Sequence, residues 1–242
     1  VYDDLGCSVR PYHIFNRTIR AIDDPRLKVR SEERPSTLGG GGATEIVVTY
    51  ETPVGSIYAV EYRTVLAQQR LEFPIRWPED LRVMEWILRG RRWEFDEEAY
   101  ERGLAEVGER APAMIYVARV SLQRLFIEYM GFENTIYALH DYPEEMEHFI
   151  RAIEETDDEM YRVVCASPIP VVNLGDNVHS DTLPPPLFER WILPYYQRRA
   201  AQLREAGKFS YSHWDGYVRP LLPYARRCGF DGLEAITPLP QG

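Results

Sequence analysis

From residue 112 onward the chain alternates short apolar runs with longer amphipathic stretches, and this rhythm constrains the fold more than any other feature. "PAMIYVARV" leads into "LQRLFIEYMG" and "YPEEMEHFIRAIEETDDEMYRVVCA". "IPVVNLG" leads into "LPPPLFERWILPYYQRRAAQLREAG", "KFSYSH" into "GYVRPLLPYARRCG", and "DGLEAI" closes the series. Strands alternating with helices predict parallel βαβ units joined by right-handed crossovers. The near-continuous apolar character of "IPVVNLG" predicts burial on both faces, as parallel sheets require. A (β/α) barrel and a doubly wound sheet both satisfy this pattern.

Residues 1–111 read differently. The first stretch ends in "STLGGGG", whose glycines predict a loop; the Lys-Ser/Thr ending and the preceding apolar strand of a phosphate-binding loop are missing. In "TEIVVTYETPVGSIYAVEYRT", β-branched and aromatic residues flank Thr52-Pro53-Val54-Gly55, which predicts a β-hairpin appendage. "WPEDLRVMEWILRG" carries Pro78 and acids at its start and Arg89-Gly90 at its end, the marks of a helix, and "DEEAYERGLAEVGER" predicts another. The expectation is one domain over 1–242, with an N-terminal region (1–111) and βα repeat units (112–242). The chain begins without Met and ends just after a strand-like run, so both ends read as incomplete.

Composition narrows the function. A formal charge of −10 argues against a sequence-independent grip on nucleic acid, which needs clustered Lys and Arg. Cys7, Cys165 and Cys228 are scattered without CxxC spacing, so a disulfide framework and a self-contained zinc motif are not indicated, and a reducing cytoplasm fits. No apolar run reaches bilayer-spanning length, and the N-terminal stretch does not read as a signal peptide. The GxSxG elbow, the Walker loop and the Rossmann glycine fingerprint are all missing.

In parallel α/β folds the ligand site lies at the carboxyl ends of the strands. There the sequence sets Gly175, Asp176, Asn177, His179 and Asp181 after "VVNL", His213, Trp214 and Asp215 after "FSYS", and Glu234 within "GLEAI". Alternation puts Tyr211, His213 and Asp215 on one side if the strand stays extended. Imidazole and carboxylate are ligands for a divalent ion, and together they are also an acid–base pair; either role fits. Glu234, flanked by Leu233, Ala235 and Ile236, needs a cation, a metal or a proton if buried. Asp176 reads as a site residue or as turn chemistry in Gly175-Asp176-Asn177, and His179 as a site residue or a solvated loop residue.

Gly175-Asp176-Asn177, "PPPLFERWILPYYQRRAAQLREAGK", "HWDG" and "GFDGLEAITPLPQG" together resemble the uroporphyrinogen decarboxylase superfamily, over Pro112–Gly242 and more weakly through "YETPVGSI" and "EFPIRWPEDL". The resemblance implies a (β/α)8 TIM barrel, with chains longer at both ends. It implies either a decarboxylase of the haem pathway or a cobalamin-dependent methyltransferase that works with corrinoid proteins or on thiols. Methyltransferases of the superfamily carry His-x-Cys-Gly after the strand matching "KFSYS", and the His and Cys hold zinc. Here His213 matches and Asp215 stands at the Cys position, a harder ligand than thiolate.

The resemblance thus implies an enzyme using His213, Asp215 and Asp176; the strand spacing adds Tyr211 to the catalytic group, and Asn177, His179, Arg119 and Trp214 are expected to bind substrate. A divalent metal, zinc first, would sit on His213, Asp215 and Glu234. The leading expectation is a metal-assisted, corrinoid-linked methyltransferase, with the corrinoid as substrate or as the cofactor of a partner protein and a small-molecule methyl donor. The alternatives are a decarboxylase of uroporphyrinogen or a related anion, with Arg119 binding a carboxylate, and a non-catalytic corrinoid- or tetrapyrrole-binding protein. A soluble cytoplasmic protein, compatible with oligomers, is expected.

Overall fold

The computed structural model describes residues 10–38 and 43–238, so Cys7, the glycines at 39–42 and residues 239–242 lie outside the described residues. The strands are β1 (Ile19–Ile22), β2 (Lys28–Pro35), β3 (Thr44–Thr52), β4 (Gly55–Arg63), β5 (Gln68–Glu72), β6 (Arg92–Phe95), β7 (Met114–Val117), β8 (Val171–Val178), β9 (Phe209–Trp214) and β10 (Gly232–Glu234). The chain forms two compact units. One comprises Val1–Ala21, Trp93–Val120 and Asp157–Gly242; the other comprises Ile22–Arg92 and Ser121–Thr156. No helix among the described residues is long and apolar enough to cross a membrane.

The first unit is built on a parallel sheet in the order β10-β9-β8-β7. The strands neighbour one another in chain order, without the reversal that defines a doubly wound sheet, which is the arrangement of a stretch of (β/α) barrel. A closed barrel is not formed among the described residues. The register sets Tyr116 beside Asn173, Asn173 beside Tyr211, Tyr211 beside Gly232, and His213 beside Glu234. Side chains two apart share a face, so these polar residues form one surface of the sheet.

The other surface carries Val172, Leu174, Ser212 and Trp214, all 0% exposed. It is covered in part by the helix Leu193–Glu205, which starts with Pro194 in its first turn, where a missing N–H costs nothing, and buries Tyr196, Ala200 and Leu203. Phe188 stands edge-on to Trp214, ring centres 5.4 Å apart, and to Tyr196 at 6.1 Å.

Gly175-Asp176-Asn177 does not form a turn: β8 runs through it to Val178, with its register against β9 shifting between Leu174 and Val178. Alternation therefore turns Asp176 away from His213. It is 0% exposed; its carboxylate accepts from Val120 N at 2.9 Å and from the Tyr196 hydroxyl at 2.6 Å. Burial first, and then the charge of Asp176, hold the Tyr196 phenol well above its usual range, so it stays a donor.

The N-terminal residues close the β7 edge. Asn16 Oδ1 accepts from Tyr116 N at 2.8 Å, satisfying an edge donor that the sheet leaves open. The helix Glu97–Val107 is capped by Asp96, whose side chain accepts from Ala99 N at 2.8 Å. Gly103 lies against Phe15; a Cβ there would come within 2.7 Å of the ring.

In the second unit β2-β3-β4-β5 form an antiparallel sheet, in which β3 and β4 meet through Thr52 and Gly55 as a two-residue hairpin. Gly55 has φ +143, and a Cβ there would lie 3.0 Å from Val83. The helix Pro78–Arg89 has Pro at its first position, and Asp80 accepts from Arg76 N and Trp77 N at 2.8 and 3.1 Å. Its buried stripe of Leu81, Val83, Met84, Ile87 and Leu88 recurs at helical spacing.

Replacing Tyr196 by Phe removes a hydrogen bond to a buried carboxylate and is expected to cost about 1.5–3 kcal/mol. A shift in the urea midpoint at unchanged slope would show it; an unchanged midpoint would mean that the Val120 contact suffices to hold Asp176.

Candidate active site

The site centres on Glu234, the last residue of β10. The next residue, Ala235, holds φ +62, a left-handed conformation that a residue with a Cβ adopts at a cost and that turns the chain sharply after the carboxylate. Four donors meet this side chain. Oε1 accepts from Asn173 Nδ2 at 2.7 Å, from His213 Nδ1 at 3.1 Å and from the Tyr116 hydroxyl at 3.4 Å, while Oε2 takes the guanidinium of Arg10. Arg10 also donates to the Tyr116 oxygen at 3.0 Å. Burial, reinforced by the negative charge of Glu234, pushes the Tyr116 phenol up to about 12, so it remains protonated and can donate.

Tyr116 is supported from two sides. Tyr12 stacks edge-on at 4.6 Å, and Gly175 lies beneath its ring, where a Cβ would approach within 3.0 Å. Gly175 is thus tied to the site by what it lacks.

His213 is 28% exposed, with its two ring nitrogens facing different acids. Nδ1 meets Glu234, and Nε2 lies 4.0 Å from Asp215 Oδ2. An ionised carboxylate only accepts, so Nδ1 carries the proton of the neutral ring and Nε2 presents its lone pair. Two polar atoms nearby are buried without a partner among the described residues: Asn173 Oδ1 and Asp215 Oδ1. Both are acceptors.

The metal expected on His213, Asp215 and Glu234 does not fit this arrangement. One ion takes one ring nitrogen, and the two carboxylates lie on opposite nitrogens of the imidazole. Among the described residues no three His, Cys, Asp or Glu side chains could hold a metal ion together.

The remaining expected residues divide. Tyr211 shares the face of His213 and neighbours Arg10. Asp215 lies beyond the strand end, its N–H donating to Val178 O at 3.2 Å. His179 is half-buried, its Nε2 is 3.2 Å from Thr182 Oγ1, and Ser180 joins its loop to Tyr217 O at 2.6 Å. Asn177 is exposed, and Arg119 is half-buried just past β7. Asp176 and Trp214 are fully buried, and alternation aims both at the helix-covered face, away from His213.

Arg10, Tyr116 and Asn173 were missed. Asn173 and Tyr116 sit on the polar face by alternation with Tyr211 and could have been found from the register. Arg10, remote in sequence and in a stretch without periodicity, gave no signal.

Fourteen solved chains match this one; among them is a methyltransferase from Methanosarcina mazei, 18% identical, with a TM-score of 0.47, covering 56% of this chain and 39% of that one. The chain therefore spans well under two thirds of that protein's length. No curated protein matches. The Uroporphyrinogen decarboxylase (URO-D) family model matches residues 92–236, which take in β7 to β10 with Asn173, His213 and Glu234. That match extends over more than half of the 242 residues, and the chain belongs to the uroporphyrinogen decarboxylase family.

Proposed function

We propose that the protein is an enzyme that decarboxylates a small carboxylated substrate by protonating the carbon from which CO2 departs, with His213 as the acid. The observation that carries this reading is the Glu234–His213 contact at 3.1 Å, which fixes the tautomer and leaves Nε2 for the reacting atom. Glu234 also stabilises the imidazolium once Nε2 is protonated. Its lone pairs are engaged by Asn173, Tyr116 and Arg10, so its role is to orient the ring.

In the reaction the bond between the substrate carbon and its carboxylate breaks and the electron pair stays on that carbon. The Nε2 proton of the imidazolium then forms the new C–H bond. CO2 leaves, and the neutral ring regains a proton from solvent on the side of Asp215. Arg10, half exposed, has N–H groups beyond those it gives to Glu234 and Tyr116, and these suit a second carboxylate of the substrate. Asn173 Oδ1 and Asp215 Oδ1 would be satisfied by substrate N–H groups. A carboxylated pyrrole, as in uroporphyrinogen, offers both.

Corrinoid-linked methyl transfer has less support here, since it calls for a metal that activates the acceptor and His213, Asp215 and Glu234 do not converge on one point.

With uroporphyrinogen as the probe and released CO2 as the readout, His213→Gln is expected to lower kcat by about 10²–10⁴-fold. Glu234→Gln should lower kcat, because the ring loses the anionic acceptor that holds Nδ1. Full turnover in His213→Gln would rule the acid role out.

Elemental analysis provides an independent check. The purified chain is expected to hold no stoichiometric divalent metal that depends on Asp215; a full equivalent of zinc lost in Asp215→Ala would instead restore the methyl-transfer reading.

A further inference from the structure

A cavity lies wholly within the other unit and takes no part in the chemistry above. It has a volume of about 220 Å³ and is lined by Trp77, Leu81, Met130, Tyr137, Asp141 and Tyr142 among others. Its floor is buried: Leu81 is 8% exposed and Met130 4%. Its rim is aromatic and open to water, with Trp77 at 69%, Tyr137 at 66% and Tyr142 at 45% exposure. Three large rings left in water around one hollow are a feature of a binding surface, since isolated packing needs would bury them.

The charges at the cavity indicate the sign of the ligand. Arg76 is already engaged: its guanidinium lies 3.8 Å over the Tyr58 ring, and it donates to Glu72 at 3.0 Å and to Tyr58 O at 3.1 Å. Asp80 answers the positive end of the helix Pro78–Arg89. Asp141 ends the helix Phe132–Asp141 and stands just before the helix Pro143–Ala166, so the two helix ends offset one another and the carboxylate itself supplies the negative charge. One of its oxygens meets His140 Nδ1 at 2.8 Å; the other has no partner among the described residues. Aromatic faces and one available carboxylate attract a cation that is too poorly hydrated to prefer water.

We propose that this cavity binds a small quaternary ammonium ligand, with Trp77, Tyr137 and Tyr142 facing the methyl groups and Asp141 balancing the charge. The proposal does not depend on the decarboxylase reading, because no residue is shared between the two sites.

The test uses choline and its uncharged isostere, in which a tert-butyl group replaces the trimethylammonium, with saturation-transfer NMR on the full chain. Choline is expected to bind saturably and the isostere at least about tenfold more weakly, since only the former gains from the ring faces and the carboxylate. Asp141→Asn and Tyr137→Ala, each checked for native circular dichroism, should each weaken choline by about tenfold. Absence of saturable choline binding, equal binding of the isostere, or binding unchanged in either variant would overturn the proposal.

Discussion

The carboxylate of Glu234 is the contact on which the rest of the first unit's polar face depends. It draws donors from the N-terminal segment and from β7, β8 and β9, so one anion ties together stretches far apart in sequence. Such a group would be costly at 20% exposure without partners, and with four it becomes a fixed reference point. Ala235, directly after it, holds a positive φ, a conformation that persists only where the surrounding structure fixes it.

That face exists because the sheet is sorted by parity. Along β8 and β9, odd-numbered residues carry the amide, phenol and imidazole, and even-numbered ones carry the packing against the helices. Asp176 belongs to the second set, and its carboxylate is a strut between the segment after β7 and the helix that carries Tyr196. It supports the site from behind without facing it. A carboxylate can therefore sit at the ligand end of a parallel sheet and still be structural, depending only on which way alternation turns it.

The βα rhythm, the positions of β7 to β10 and the pairing of His213 with a carboxylate were legible because each follows from local periodicity. Four things were not. The direction of Asp176 was hidden because it follows "VVNL" as a strand-end residue would, whereas β8 runs on through it and alternation turns its side chain to the helix-covered face. Trp214 was misread because adjacency to His213 suggests company, whereas adjacent strand residues face opposite ways. Arg10 was invisible because a contact across more than two hundred residues leaves no trace in a local pattern. The division into two interleaved units was hidden for the same reason.

The two acids around His213 look equivalent in sequence, and geometry separates them. Glu234, saturated by donors, sets the ring and its tautomer. Asp215, more exposed and 4.0 Å from Nε2, keeps one buried oxygen without a donor. A buried acceptor left in that state costs about 1–3 kcal/mol, and Asn173 Oδ1, on the residue that meets Glu234 at the Nδ1 end, carries a second such cost. Glu234 thus locks one nitrogen of the imidazole, and Asp215 faces the other with acceptor capacity to spare.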